Sequence, residues 1–250
     1  PFTLDRRSEV RYAMRPTGVP TVKYGNEVLS TTGANVPERY FYDSIELTVE
    51  GVPEGYEAWY DKTYAPYETS DGINGIMVGK DGKVTLNYGG EFNFKLAKVV
   101  TVDGKEYRRL SHSVTKINLT KLSSLPAPKV TVTTKESGQT LNPSGNTYTM
   151  TENIVTVKLE PNGNWPLNAT IAYDTNGNAT PRLSQTYTKP FDVRGAGTIS
   201  VFTLVPNANG EYNYEGVAYN FKLDSSLEMV PVSTYNGNCT SYYLNENGNW

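Results

Sequence analysis

The side chains that most often perform chemistry are sparse in this chain. It contains one histidine, His112, and one cysteine, Cys239. They lie in different segments, so they predict neither a zinc site, which needs several Cys and His ligands, nor an intrachain disulfide. His112 stands between Ser111 and Ser113, and no Gly-x-Ser-x-Gly turn presents a nucleophile to it. We therefore interpret His112 as a surface residue.

Carboxylates are the next candidates, because a pair of them can hydrolyse a glycosidic bond. Glu46 and Glu50 alternate with apolar residues in one predicted strand, and Glu160 repeats this arrangement in another. A glycosidase needs a cleft in which an apolar setting keeps one carboxyl group protonated. A polar strand face is the opposite environment, and the sequence gives no location for such a cleft. We predict that the protein is not an enzyme.

One oxygen-rich segment has the composition of a calcium loop. Asp174–Asn178 reads Asp-Thr-Asn-Gly-Asn, and side-chain oxygens around a glycine can hold a hard cation. The spacing is not that of an EF-hand, so a hairpin turn is the preferred interpretation. Gly195–Gly197 precedes a predicted strand rather than a helix, which argues against a phosphate-binding loop. We predict no metal and no cofactor.

Aromatic side chains give the best indication of binding. Two tryptophans each follow an Asn-Gly-Asn turn sequence, and three tyrosines lie near the second of them. Exposed Trp and Tyr stack on sugar rings or anchor protein interfaces. The candidate ligand or interface residues are Trp165, Tyr235, Tyr242, Tyr243 and Trp250. In the alternative interpretation Trp59 is a core residue, Trp165 closes one end of a sandwich, and the tyrosines fill strands.

The composition excludes two classes of partner. The net charge is −3, with both signs scattered along the chain, so nucleic acid has no basic stripe to bind. No run of 18 apolar residues occurs, which predicts no membrane span. The chain begins with Pro1, and two processing histories fit: trimming of an initiator methionine, or removal of a leader from a secreted precursor.

The chain contains the same β-rich unit twice. The alternation of apolar and polar residues in 45–50 recurs in 155–160, and each run leads to a strand ending in Tyr-Asp, at Tyr60-Asp61 and Tyr173-Asp174. Helical periodicity is missing, and short strands recur at intervals typical of a two-sheet sandwich. Duplicated modules that share no polar cluster are usually spacers or binders, since an enzyme needs its catalytic groups in one place.

Turn and proline signals divide the chain. Asp81-Gly82 predicts a tight hairpin over 77–86, and Pro126-Ala127-Pro128 predicts a stiff linker. The predicted segments are an N-terminal arm (1–19), β-sandwich domain 1 (20–125), the linker (126–128), β-sandwich domain 2 (129–224), and a C-terminal arm or partial third repeat (225–250). Two interpretations of the first arm stay open: an edge strand or ordered tail on domain 1, or an arm that docks on a neighbouring subunit.

Domain 2 carries a more specific pattern: Tyr173–Gly177, then Thr180-Pro181, then Tyr187–Phe191, then Gly197–Ile199. This pattern resembles the fibronectin-III-like accessory domain at the C-terminal end of chitobiases and related hexosaminidases. The likeness covers 155–223 and is weaker in 20–125. It implies an immunoglobulin-like sandwich, usually a non-catalytic module of bacterial surface proteins or multidomain glycosidases, with no catalytic residues to transfer.

The sequence therefore predicts an all-β protein of two tandem immunoglobulin-like (fibronectin-III-like) β-sandwich domains with extended terminal arms. The expected function is that of a non-catalytic structural or assembly protein on an outer surface, such as a bacteriophage virion component or a bacterial cell-surface subunit. Its expected partners are neighbouring protein subunits. The alternative is a carbohydrate-binding accessory module or adhesin that binds surface glycans.

Overall fold

The computed structural model describes residues 15–227 and the backbone of two later strands, Met229–Ser233 and Ser241–Leu244. The chain forms two compact units. Unit 1 contains the described residues up to Ser124 together with Pro166–Asn168, and unit 2 begins at Leu125.

Unit 1 consists of two packed sheets and a small separate hairpin. In chain order its strands are β1 (Thr21–Tyr24), β2 (Glu27–Val28), β3 (Glu38–Tyr42), β4 (Ile45–Glu50), β5 (Tyr56–Lys62), β6 (Tyr67–Glu68), β7 (Ile73–Asn74), β8 (Ile76–Met77), β9 (Lys83–Leu86), β10 (Gly90–Val102), β11 (Lys105–Leu110) and β12 (Thr115–Leu122). The smaller sheet has the order β2-β1-β4-β9. The larger has the order β3-β12-β10-β5-β8, with β11 also paired to β10, and β6 pairs only with β7.

Unit 2 repeats this arrangement. Its strands are β13 (Lys129–Thr134), β14 (Thr140–Leu141), β15 (Thr147–Met150), β16 (Ile154–Glu160), β17 (Thr170–Asp174), β18 (Gln185–Thr186), β19 (Phe191–Arg194), β20 (Gly197–Pro206) and β21 (Tyr212–Leu223), with one 3₁₀-helix at Pro181–Leu183. The sheet orders are β14-β13-β16-β19 and β15-β21-β20-β17-β18. Beyond unit 2's sandwich, β22 (Met229–Ser233) and β23 (Ser241–Leu244) pair with each other.

The two units share the same strand order in both sheets, apart from local differences in unit 1. In each, one parallel pair joins the larger sheet, β3 with β12 and β15 with β21, and the other ladders are antiparallel. This arrangement confirms the prediction of two tandem immunoglobulin-like β-sandwiches. Most of the predicted arms, 1–14 and much of 225–250, lies outside the described residues.

The cores follow from the alternating patterns. Ile45, Leu47 and Val49 of β4 are buried, and so are Val155 and Val157 of β16. Successive strand residues point to opposite faces, so each pattern turns one apolar face toward the facing sheet. Burying each such side chain contributes about 1.5–3 kcal/mol.

The hairpin predicted over 77–86 is wrong. Met77 pairs with Trp59 in the larger sheet, whereas Lys83 pairs with Thr48 in the smaller one. Gly82 does adopt positive φ (70°), and its carbonyl accepts a hydrogen bond from Val49 N at 2.7 Å. The Asp-Gly turn therefore exists, but it carries the chain from one sheet to the other, because the apolar faces on either side of it pack in opposite layers.

Two local differences separate the units. The single strand β21 of unit 2 corresponds in unit 1 to β11 and β12, which are divided at 111–114. There Ser111 N donates to Leu96 O at 2.8 Å, and the break leaves His112 exposed. Unit 1 also has the β6–β7 hairpin between β5 and β8, where unit 2 has the 3₁₀-helix between β17 and β18.

Candidate functional site

The structure describes the side chain of only one of the five candidate aromatics. Trp165 is half-buried, and its backbone N donates to Gly163 O at 2.9 Å within the turn that precedes it. Tyr242 and Tyr243 lie on β23, where they are the register partners of Pro231 and Val230; their side chains are outside the described part. Tyr235 and Trp250 lie outside it entirely, so the grouping of these five residues stays a prediction.

The alternative interpretation of Trp59 as a core residue is wrong. Its neighbours on β5, Ala58 and Tyr60, are buried, and Tyr60 stacks on Phe94 in the core at a ring distance of 5.4 Å. The alternation of the strand turns Trp59 to the outer face of the larger sheet, where it is partly exposed. A tryptophan in the middle of a strand can lie on either face of the sheet. Which face it takes follows from which of its neighbours along the strand are buried.

Trp59 stands in the middle of a row that crosses three strands. Its register partners are Met77 on the edge strand β8 and Lys95 on β10. Directly paired residues share a face with Cβ atoms about 5 Å apart. Met77 is 46% exposed, and the preceding Ile76 is 48% exposed. The row Met77–Trp59–Lys95, called here the Trp59 row, thus places an indole between an exposed thioether and an ammonium group.

A hydrogen-bonded network holds the indole in place. Trp59 Nε1 donates to Glu57 Oε2 at 2.9 Å. Arg108 donates to both oxygens of the same carboxylate, through Nε at 2.7 Å and Nη2 at 2.8 Å. Burial raises the pKa of Glu57, but the hydrogen bonds from Arg108 and Trp59 outweigh it, so the net pKa is lowered. Hydrogen bonding to Glu57 raises the pKa of Arg108.

Beside this network, one carboxylate binds two guanidinium groups. Glu68 of β6 accepts from Arg15 Nη1 at 2.9 Å and from Arg109 Nη1 at 2.6 Å. It also accepts from Leu110 N at 2.8 Å. These contacts, called here the Glu68 cluster, fasten the β6–β7 hairpin to β11. Arg15 also donates to Leu110 O, so the end of the predicted N-terminal arm is held on unit 1.

Lys95 lies close to the Glu68 cluster and adds a third cation to its surroundings. Burial lowers the pKa of Lys95, the positive charge of Arg15 lowers it further, and the negative charge of Glu68 only partly opposes them. Since Glu68 already faces two guanidinium groups, its single charge cannot offset Lys95 as well. Among the described side chains, Lys95 therefore stands beside Trp59 without an ion-pair partner of its own.

Unit 1 contains an open cleft that the sequence did not indicate. Its volume is about 810 Å³, and the β4–β5 and β8–β9 connections line it, including Glu50, Glu54, Glu57 and Asp81. The sequence indicated no location for paired carboxylates, and the structure brings these four carboxylates to the lining of one cleft. Glu57 is nevertheless unsuited to act as a general acid. Its pKa is lowered, whereas a carboxyl group that donates a proton near neutral pH needs a raised pKa. Glu50 is paired with Lys23 at 2.6 Å.

The oxygen-rich segment of unit 2 is closed by its own hydrogen bonds. Asp174, only 3% exposed, accepts from Asn176 N at 2.7 Å, from Asn178 N at 3.2 Å and from Asn178 Nδ2 at 3.1 Å. Burial raises the pKa of Asp174, but these bonds outweigh it and lower the net pKa. The segment does not close a tight hairpin, because β17 pairs with β18 only after the intervening 3₁₀-helix.

Two searches for other sites gave negative results within the described part of the chain. No group of three or more His, Cys, Asp or Glu side chains there could hold a metal ion. No helix in the same residues is long and apolar enough to cross a membrane.

Comparisons with known proteins give distant structural likenesses only. No family model matches the sequence, and no curated protein matches it. The chain is similar to the human OSCAR ligand-binding domain, with a TM-score of 0.38, 13% identity, and coverage of 79% of this chain and 96% of that one. It is also similar to the FN1–FN3 domains of chicken CNTN1 (TM-score 0.34, 8% identity, 74% and 65% covered). A third likeness is to the fibronectin(III)-like modules of Clostridium thermocellum CbhA (TM-score 0.29, 12% identity, 78% and 94% covered).

None of these three likenesses is to the accessory domain of chitobiases that the sequence of domain 2 resembles. The fold class rests on the strand order of the two units, and the closer likeness to the accessory domains of chitobiases stays a prediction.

Proposed function

We propose that this protein is a non-catalytic structural and adhesive component of an outer surface, such as a virion component of a bacteriophage or a subunit at a bacterial cell surface. In this role two β-sandwiches serve as scaffold, and contacts to neighbouring subunits are made by the terminal arms. The observation that carries the proposal is the repetition of one sheet topology in the two units.

Repetition supports a scaffold because the shared features are those of the core. Both units keep the alternating apolar faces, while the outer faces differ in charge and in aromatic content. Several carboxylates brace strands by ion pairs, among them Glu46 with Lys83 at 2.7 Å and Glu91 with Lys116 at 3.0 Å.

The particle mass in solution tests the assembly role. We expect the full chain to be oligomeric by light scattering and a shortened chain of residues 15–227 to be monomeric. Arg15 is kept because it binds Glu68 and Leu110 O, so its removal would disturb unit 1 itself. Circular dichroism and a thermal melt control for folding of the shortened chain. The same number of chains per particle for the full and the shortened protein, both folded, would contradict the proposal.

A carbohydrate-binding module is the second candidate function, because two described tryptophans, Trp59 and Trp165, are partly exposed. Exposed indole rings stack on the apolar faces of sugars. A glycan array with the full chain tests this role, and the loss of a hit on substitution of either tryptophan would identify the site. An array without hits would count against it and would leave the assembly role untouched.

A further inference from the structure

We propose that the Trp59 row on the outer face of unit 1 is a binding site for an anionic saccharide, in which Trp59 stacks on a sugar ring and Lys95 binds the ring's carboxylate or sulfate group. The inference rests on the second candidate function and names the site and the class of ligand for it.

The indole is positioned before any ligand arrives. Its Nε1 is already committed to Glu57 at 2.9 Å, and Glu57 is fixed by two hydrogen bonds from Arg108. A ligand therefore meets the ring as an apolar surface in a set orientation, rather than as a hydrogen-bond donor. An aromatic group that is already ordered loses little conformational freedom on binding, which favours affinity.

The charge beside the ring selects the sign of the ligand. Lys95 is the register partner of Trp59 and shares its face of the sheet. It makes no ion pair with any described carboxylate within 4.0 Å, and Glu68 is engaged by Arg15 and Arg109. An anion placed there would compensate a partly buried ammonium group whose surroundings are positive. A neutral sugar could stack on Trp59 but would leave this charge unpaired.

Unit 2 provides an internal comparison. Aligned on the repeated Tyr-Asp pair, Trp59 corresponds to Ala172, and the cross-strand partner of Ala172 is Phe202. Ala172 and Phe202 are each 1% exposed. The equivalent row of unit 2 thus has no cation and no exposed ring, so the proposed site belongs to unit 1 alone.

The edge of the Trp59 row suits a saccharide better than a strand of another protein. Met77 is exposed at the edge of the row, and it would contact the apolar face of a neighbouring sugar residue. The edge strand β8 is only two residues long, which makes pairing with a strand of another protein unfavourable. A saccharide needs only the side chains of the row.

Isothermal titration of the full chain tests the proposal with three probes. These are a short oligogalacturonate, its carboxyl-reduced form, which is the corresponding neutral galactose oligomer, and a sulfated galactose oligomer. We expect binding of one or both anionic probes and at least about tenfold weaker binding of the neutral oligomer. Affinity should fall as salt is raised, since an exposed ion pair is screened. The two anionic probes distinguish a carboxylate from a sulfate ester as the group that Lys95 binds.

Matched variants assign the binding to the row. Trp59→Leu keeps apolar bulk but removes the ring, and Lys95→Gln removes the charge; each is expected to weaken binding about tenfold. The controls are Trp165→Leu and Lys98→Gln. Lys98 lies on the same strand as Lys95 but pairs with Tyr56, three residues along and on the opposite face. These controls should bind within about twofold of the parent chain.

Three results would overturn the proposal: no binding of either anionic probe, equal binding of the neutral oligomer, or unchanged affinity in both row variants while they remain folded by circular dichroism. Light scattering on the same samples keeps the outcomes separate. An oligomer that binds none of the probes leaves the assembly role standing and removes only the saccharide site.

Discussion

The outer faces of the two larger sheets differ much more than the cores behind them. In unit 1 this face carries Trp59, Lys95 and the Glu57–Arg108 ion pair. In unit 2 the equivalent strands carry a small apolar cluster of Ala172, Phe202 and Leu204. The ring of Phe202 lies so close to the opposite strand that a Cβ on Gly216 would be 2.7 Å from it.

This difference shows where a duplicated sandwich is free to change. Inward side chains must fill a common space between two sheets, so substitutions there are restricted by packing. Outward side chains meet no such requirement and can become a charged platform in one copy and an apolar cluster in the other. A function that belongs to one unit is therefore to be sought on the outer face and not in the core.

The largest expected effect tests the claim that the cores are equivalent. Phe94→Ala and Phe221→Ala each remove a fully buried ring that stacks on a tyrosine, Tyr60 and Tyr148 respectively. We expect each to lower the free energy of unfolding of its unit by about 3–5 kcal/mol. Denaturant titration followed by circular dichroism measures the loss. A much smaller effect in one unit would show that its core can collapse around the cavity and would break the equivalence.

The repeated Tyr-Asp pair gives the next comparison. Asp174 accepts three hydrogen bonds and is buried, whereas Asp61 is only half-buried and accepts a hydrogen bond from Lys62 N at 2.7 Å. Asp174→Ala removes three hydrogen bonds, but their donors belong to Asn176, which is exposed, and Asn178, which is half-buried. Water can replace part of this bonding, so we expect a cost of about 1–2 kcal/mol. Asp61→Ala should cost about 0.5–1 kcal/mol. Equal losses, measured by urea titration, would show that the loop of unit 2 does not depend on Asp174.

A comparable effect concerns the charges found only in unit 1. Glu68→Gln leaves Arg15 and Arg109 without the carboxylate that they share. The group is about a quarter exposed (24%), so we expect a loss of about 1–2 kcal/mol rather than that of a fully buried pair.

Glu46→Gln is the matched control for Glu68→Gln. It breaks the exposed pair with Lys83 and should cost less than about 0.5 kcal/mol. Thermal melts of both variants measure the difference. A Glu68 variant no less stable than the Glu46 variant would mean that the Glu68 cluster does not hold the β6–β7 hairpin.

The smallest expected effect is a change in the response to acid. Hydrogen bonds lower the pKa of Asp174 in the folded protein despite its burial, relative to about 3.9 for an unfolded aspartate. Because the folded pKa is the lower one, the carboxylate stabilises unit 2 above the unfolded pKa, and this contribution is lost as pH falls through the folded value.

Melting temperatures between neutral pH and about pH 3 test this prediction. The Asp174→Asn variant should lose less stability in acid than the parent chain does. An Asp174→Asn variant with the parental acid dependence would assign the transition to other carboxylates.

Much of the fold could be predicted because strand alternation is a local property. The runs at 45–50 and 155–160 placed their apolar residues correctly in the core. The hairpin at Asp81-Gly82 was wrong because a turn sequence does not say whether its two flanking strands share a sheet. The alternative interpretation of Trp59 as core was wrong because residue size alone does not give the face of a strand.

The sequence by itself determined the all-β class, the duplication and the scarcity of catalytic side chains, because these depend on residue types and short-range periodicity. Only the tertiary structure decided that Trp59, Met77 and Lys95 form a row, since they come from three strands that are separated along the chain. It also decided that Glu68 binds both Arg15 and Arg109. The register of the ladders brings these residues together, and register depends on which faces of paired strands are buried and on the turns that join them, not on any one segment alone.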